Sequence, residues 1–327
     1  MRLRHPSRWR PLALTASLAT LTVVGFSSPG AEARTAPHNH QTVHQTADKR
    51  VVHGPKYHPP YSAIVIDDNS GQVLHDAKAD EPRHPASLTK IMTLYLLFEQ
   101  LQAGRLKLDT QLPISAFAAQ QAPTKLGLKA NQTLAVEDAV KGLVTRSAND
   151  AAVDVAEAIA GSEADFAKLM TEKAKALGMM STTYVNASGL PADEQITTAR
   201  DQALLGCTIQ EHFPEYYRYF SATSFRYHGV EMHNHNALLG QLEGVDGIKT
   251  GYTEASGYNL VASVRRQEKH IVAVVLGGTS NAKRDARMRE LITRYIPLAM
   301  TGRPQIYVRK PRFEHETQPA ETNIGNM

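Results

Sequence analysis

The sequence predicts an α/β domain: an antiparallel sheet built from both ends of the ordered region, with a mainly helical insertion between them. Three observations support this. Short β-branched runs stand near the start, from Ala63 to His75, and return near the end, from Gly257 to Gly277. Stretches with helical spacing fill the middle, each near a glycine or a capping residue. At 327 residues and 42% hydrophobic composition, the chain can bury a core around such a sheet.

Residues 1–33 read as a signal peptide outside that fold. Arg2, Arg4, Arg8 and Arg10 precede a charge-free apolar run from Leu12 to Phe26, and Ala31-Glu32-Ala33 supplies a small-residue cleavage site. The run falls short of the ~20 residues of a comfortable bilayer span. No adjacent arginine pair marks a twin-arginine signal, so Sec export to the periplasm or cell-wall space is expected, with cleavage near Ala33. The alternative is an uncleaved N-terminal anchor. Residues 34–60 are polar and read as a flexible linker closed by Pro59 and Pro60. Their histidines (His38, His40, His44, His53, His58) are irregularly spaced with no Cys or carboxylate cluster, so solvated coil is favoured over a metal site.

The domain itself spans 61–300. Ala63–Asp67, the turn residues Asp68-Asn-Ser-Gly71 and Gln72–His75 form a hairpin. A helix follows from Ser87 to Ala103, stopped by Gly104. Val136–Val144, Asn149–Ala160 and Glu163–Leu177 are helical, Gly257–Arg265 and His270–Gly277 are strands, and Ala282–Tyr295 is the last helix, followed by Pro297. Beyond it, residues 301–327 form a polar tail, too short for another large domain. Gln305–Lys310 shows no sustained apolar face, so no stable membrane anchor is expected.

One cysteine excludes an intrachain disulfide framework and any multi-cysteine metal site. Lys and Arg number 36 against 32 Asp and Glu, a net +4, with a pI near 9.0. That balance invites a nucleic-acid reading. Most of the excess, however, lies in residues 1–33, where four arginines face Glu32 alone. The mature chain is nearly neutral, and no nucleic-acid partner is expected.

Three short motifs carry chemistry. In Ser87-Leu-Thr-Lys90, serine and lysine three residues apart share a helix face. A serine hydroxyl needs a base, and a lysine with a lowered pKa can be one. The helix N-terminus favours an oxyanion. A second copy, Ser280-Asn-Ala-Lys283, opens an Arg-rich helix and reads as a plain N-cap, which is also the competing reading of Ser87. Ser147-Ala-Asn149 is the only Ser-x-Asn in the chain. Its hydroxyl can relay a proton and its amide can hold a substrate carbonyl or order the lysine; otherwise it caps a helix. In Lys249-Thr250-Gly251, a strand glycine lets a substrate backbone approach, and Lys and Thr can bind a carboxylate; otherwise it is an exposed strand end.

Together and in this order, the motifs match the set shared by β-lactamases and penicillin-binding proteins, with Ser-Ala-Asn as a variant of the middle one. The chain resembles the low-molecular-mass penicillin-binding proteins, the serine-type D-alanyl-D-alanine carboxypeptidases. Pro85–Thr93, Ser147–Ala152, Asn186-Ala-Ser-Gly-Leu-Pro191, Thr198-Ala-Arg-Asp201, Gly244–Thr253, Gly257–Ser263 and Val274–Gly277 all read like that family. The resemblance covers about Tyr61 to Tyr295 and implies a β-lactamase/transpeptidase-like fold. It implies that Ser87 attacks the bond between two D-alanines of a peptidoglycan stem peptide, with Lys90 as base. Ser147 would pass the proton to the leaving amine, and Asn149 would position Lys90 and the substrate amide. Lys249 and Thr250 would hold the terminal carboxylate beside Gly251, and the backbone N–H groups of Ser87 and Tyr252 would form the oxyanion hole. β-Lactam antibiotics would acylate Ser87, and no metal or organic cofactor is implied.

Three rivals remain. A class A β-lactamase needs a deacylating Glu, and Thr183–Gly189, where it would align, has none. A DD-endopeptidase would cut D-Ala–diaminopimelate cross-links with the same residues. A non-catalytic wall-binding protein would keep the fold without the chemistry. Other residues are read as structural. Cys207 reads as a buried small side chain, and Tyr216, Tyr217, Tyr219 and Phe220 as aromatic packing rather than a sugar platform. His233 and His235 read as a solvated or hydrogen-bonded loop rather than metal ligands, and Arg284, Arg287, Arg289 and Arg294 as the wet face of the last helix.

Overall fold

The apolar runs at the two ends of the domain meet in one sheet. The computed structural model describes residues 58–302. The expected signal peptide, most of the linker and nearly all of the tail lie outside the described residues. The chain enters through β1 (Ser62–Asp67) and β2 (Val73–Ala77), then α1 (Thr89–Gln102). The insertion continues with β3 (Gln111–Pro113), α2 (Ala116–Ala119), β4 (Thr133–Ala135), α3 (Val136–Thr145), α4 (Asn149–Ala160) and α5 (Glu163–Ala176). After α6 (Ala199–His212) and α7 (Pro214–Tyr217) comes a hairpin, β5 (Ser224–Tyr227) and β6 (Val230–His233). The chain returns through β7 (Val245–Thr253), β8 (Gly257–Arg266) and β9 (Lys269–Gly278), and closes with α8 (Asn281–Tyr295).

The five-stranded antiparallel sheet has the order β2-β1-β9-β8-β7. β9 is central and buried on both faces, which is why it reads as a continuous apolar run. Its residues divide by alternation. Val272, Val274 and Leu276 face the helical insertion, packing with Ile64, Leu94, Leu97 and Phe98. Ile271, Ala273 and Val275 face the other way, under Met288, Leu291 and Ile292 of α8. Each fully buried Leu or Ile contributes on the order of 1.5–3 kcal/mol, so both layers hold the central strands in register.

The fold sets the site at one edge. β7 is the edge strand, and its Thr250 and Gly251 pair with Leu260 and Asn259 of β8. The turn before α1 lies against β7, and α4 packs on α1. The three motifs therefore come from three elements that meet at the β7 edge of the sheet.

Candidate active site

Ser87 sits in a single 3-10 turn, Ala86–Leu88, that runs directly into α1. The α-helix expected from Ser87 thus begins at Thr89. A three-residue spacing keeps side chains on one face in either helix type, so Lys90 Nζ still comes within 3.3 Å of Ser87 Oγ. Ala86, just before the serine, has a left-handed backbone with φ of +49°, uncommon outside glycine. Asn259 of β8 holds this turn in place. Its Nδ2 donates to the carbonyls of His84 (3.0 Å) and Pro85 (3.2 Å), and its Oδ1 accepts from the Gly277 N–H.

Lys90 is completely buried. Its Nζ donates to Asn149 Oδ1 at 2.7 Å and to the Ser188 carbonyl at 2.5 Å. Burial first, and the Lys249 charge second, hold its pKa well below the usual lysine value; Asp150 and Glu163 pull the other way. A neutral amine there can take the serine proton. Ser188 belongs to the Asn186–Pro191 segment, to which the sequence attached no role. Asn186 Oδ1 shapes that segment by accepting from the N–H groups of Ser188 (3.2 Å) and Gly189 (2.7 Å). Thr93 Oγ1, on α1 three residues after Lys90, donates to the Ala187 carbonyl at 2.6 Å. Gly189 has φ of +85°, and a Cβ there would collide with the Ala86 carbonyl. The segment therefore both positions the lysine and leaves room for the nucleophile's turn.

Ser147 lies between α3 and α4 with φ of +58° and is 3% exposed; its buried Oγ has no protein partner. Asn149 opens α4. With Oδ1 on Lys90 and Nδ2 donating to the Ala122 carbonyl (2.9 Å), both ends of its amide are engaged by the protein. Asp150, fully buried, gathers the N–H groups of Leu126 (2.9 Å), Gly127 (2.8 Å) and Leu128 (3.0 Å). Thr124 Oγ1 donates to the Ser147 carbonyl at 2.9 Å. Asp150 and Thr124 thus bind the 122–128 loop to the second motif.

On β7, Lys249 is 2% exposed and its Nζ donates to the Thr250 carbonyl at 3.1 Å. Burial first and Arg284 second push its pKa down to about 7. A chain of cations results: Arg284 lowers Lys249, and Lys249 lowers Lys90. Gly251 faces the nucleophile's turn. A Cβ there would lie 3.0 Å from both the Pro85 carbonyl oxygen and the Ser87 nitrogen. Its glycine is thus explained by the approach of the protein's own backbone, whereas the sequence suggested a substrate's.

These elements enclose a cleft of about 510 Å³. Ser87, Ser147, Asn149, Thr250, Gly251 and Tyr252 line it, while buried Lys90 and Lys249 stand behind the lining. The Tyr252 ring is 51% exposed, with the Tyr258 ring 4.2 Å away between centroids. Two residues read as structural also line the cleft. Arg284 is 2% exposed rather than on a wet face, because it continues the buried stripe of Met288, Leu291 and Tyr295. Its Nη1 donates to the Asn259 carbonyl at 3.3 Å, and its Nη2 pairs with Asp285 at 2.8 Å. Spacings of four, three and four along α8 were the signal for it. His235 reaches the cleft from the loop after β6. Tyr217, Tyr219 and Phe220 are packed in the core as expected, whereas Cys207 is only half-buried. Burial and Asp68 raise the Cys207 pKa, which disfavours a thiolate. Among the described residues no group of three or more His, Cys, Asp or Glu is placed to hold a metal, and no helix is long and apolar enough to cross a membrane.

Comparison with known proteins adds to this geometry. Residues 49–280 match the family model described as D-alanyl-D-alanine carboxypeptidase. The D-alanyl-D-alanine carboxypeptidase DacC of Escherichia coli (strain K12) is 38% identical over 237 residues, covering 70% of this chain and 59% of the relative. The chain thus spans about three fifths of the length of the carboxypeptidase relatives it matches. The crystal structure of penicillin-binding protein D2 from Listeria monocytogenes, in its cefotaxime-bound form, aligns with a TM-score of 0.65 at 32% identity, covering 71% of this chain and 95% of that one. A D-alanyl-D-alanine endopeptidase of Pseudomonas aeruginosa is 28% identical over 223 residues, 66% of this chain and 70% of the relative.

Proposed function

The chain belongs to the D-alanyl-D-alanine carboxypeptidase family, and from that premise we propose that it removes the terminal D-alanine from peptidoglycan pentapeptide stems through an acyl-enzyme on Ser87. One observation carries the reading: a fully buried, low-pKa Lys90 lies 3.3 Å from the Ser87 hydroxyl and is fixed by Asn149 and Ser188. Ser87 Oγ attacks the carbonyl of the penultimate D-alanine while its proton passes to neutral Lys90. The tetrahedral oxyanion is met by the N–H groups of Ser87 and Tyr252, worth a few kcal/mol in such sites. The C–N bond then breaks, and the proton travels through Ser147 to the leaving amine. Water hydrolyses the ester, releases the shortened stem and restores Ser87. The Thr250 hydroxyl, with the Lys249 and Arg284 charges behind it, favours a substrate ending in a carboxylate.

The cleft lining contains no Asp or Glu among the described residues. This supports slow deacylation and hence a β-lactam target rather than a β-lactamase. We also propose Sec export to the periplasm or cell-wall space, with signal cleavage near Ala33. The deciding experiment is mass spectrometry of products from a defined pentapeptide and a cross-linked dimer, wild type against Ser87→Ala. A tetrapeptide plus free D-alanine from the pentapeptide supports the carboxypeptidase. Cleavage of the dimer alone shifts the reading to the endopeptidase. Activity that survives Ser87→Ala ends both.

A further inference from the structure

Besides Ser147, whose hydroxyl is unpartnered, His235 is an open side chain on the cleft wall. Asparagines on either side secure its backbone. Asn234 donates from its backbone N–H to the Thr223 carbonyl (2.8 Å) and from Nδ2 to the Ala222 carbonyl (2.9 Å). Asn236, 3% exposed, donates from Nδ2 to the Gly247 carbonyl on β7 (3.2 Å) and accepts from the Leu238 N–H (3.2 Å). Asn234 Oδ1 also accepts the Asn236 N–H at 2.8 Å, closing the turn around the histidine. Among the described residues the imidazole itself has no hydrogen bond or ion pair. The loop is fixed two residues before Lys249, and His235 is presented to the cleft with both ring nitrogens available.

We propose that His235 is a proton-coupled ligand for the substrate's terminal carboxylate: neutral in the empty cleft, it takes one proton from solvent as the carboxylate enters. The proposal rests on the carboxypeptidase reading. The charges that act most on His235 are cationic: Lys249 on β7, Arg146 at the end of α3 and Arg284 on α8, joined by Lys90 on α1 when that amine is protonated. His235 is exposed at the cleft, and partial desolvation there together with these cations pushes its pKa down to about 4, so the ring of the empty site is neutral near pH 7. A carboxylate beside Thr250 cancels much of that positive field. The ring then regains a basicity near its ordinary value and donates a charge-assisted hydrogen bond to the anion. Binding and proton uptake are thereby linked, and affinity rises as pH falls. If the bound imidazole returns to a pKa of ~6.5, affinity at pH 5 is about thirtyfold greater than at pH 8. Lys249 also titrates in this range, so the difference between His235 variants isolates the histidine.

The test uses the full chain carrying Ser87→Ala, so that a pentapeptide ending in D-Ala-D-Ala binds without turnover. Its Kd is measured from pH 8 to pH 5, together with proton uptake from calorimetry in buffers of different ionisation enthalpy. The expected result is a fall in Kd at least tenfold larger than when His235→Gln is added, and uptake of one proton fewer in that variant near pH 5.5. His235→Arg should bind tightly with only the Lys249 dependence remaining, and a C-terminally amidated peptide should remove the difference. Equal pH profiles for the parent and His235→Gln, with equal melting temperatures, overturn the proposal. Penicillin acylation of the chain with Ser87 intact separates the two levels. If acylation persists, only the role of His235 fails; if it is absent, the carboxypeptidase reading fails with it.

Discussion

The two Ser-x-x-Lys tetrads of this chain share a pattern and differ in everything that makes chemistry. Ser280 caps α8 with φ of −160°, and its hydroxyl accepts the Lys283 N–H at 3.1 Å. The Lys283 side chain is exposed. Ser87 caps nothing, since neither its own turn nor α1 has a side-chain cap. Its hydroxyl is left to Lys90, which is buried and held by acceptors from two other segments. The spacing brings serine to lysine; burial makes the lysine a base, and distant segments fix its direction. The largest expected effect follows. Lys90→Arg places a group that cannot lose its proton beside Ser87, so penicillin acylation falls by about 10³-fold or more, read by a labelled penicillin. The same substitution at Lys283 leaves the rate unchanged.

Removing one of the distant supports tests how much they matter. Asn149→Ala takes away Oδ1 while leaving Ser87 and Lys90 in place. Acylation should fall by roughly 10–100-fold, because a misdirected amine still lies nearby. A loss as large as that of Lys90→Arg would mean that Asn149 does more than position.

Much of this site was legible in the sequence, because each motif sits on a locally readable element. The strand expected over Ala63–Asp67 spans Ser62–Asp67, that over His270–Gly277 spans Lys269–Gly278, and the helix expected over Ala282–Tyr295 spans Asn281–Tyr295. Alternation and capping are local signals, and they succeed locally. The two residues whose place on the cleft lining was missed reach it by tertiary folding. Arg284 could have been recovered from its place on the apolar stripe of α8, but an arginine among arginines reads as solvent-facing. His235 follows a hairpin whose His228-Gly229 turn, with φ of +45° and +82°, was a readable signal left unused. Even with that hairpin recognised, nothing in the sequence tells which wall the next loop joins. Asn236 decides that by bonding to Gly247.

A smaller effect concerns charge. Lys249 lowers the pKa of Lys90, so Lys249→Gln should raise it. The neutral base then appears only at higher pH. The acid limb of the saturated acylation rate should therefore move to higher pH, with the plateau reached later. The wild-type limb lies lower because burial and a buried neighbour both oppose protonation of Lys90. No movement of the limb would show that burial alone sets the base.

The smallest effect reverses the comparison. Ser280→Ala removes an N-cap, which costs about 1 kcal/mol. For a domain of this size that is a fall in melting temperature of roughly 2–4 °C. The acylation rate should stay within twofold, because the cap touches only the Lys283 N–H. Ser280→Asp, whose carboxylate can accept the same N–H and favours the helix N-terminus, should restore the loss. Ser87→Ala should do the opposite: it abolishes acylation while leaving the melting temperature nearly unchanged, since Ser87 gives up only a 3.3 Å contact and no cap. Thermal melts and penicillin labelling of the two alanine variants thus form a crossed pair. If Ser87→Ala also destabilised the fold by a cap's worth, the serine would be serving the helix as well as the chemistry, and the two tetrads would differ less than their surroundings indicate.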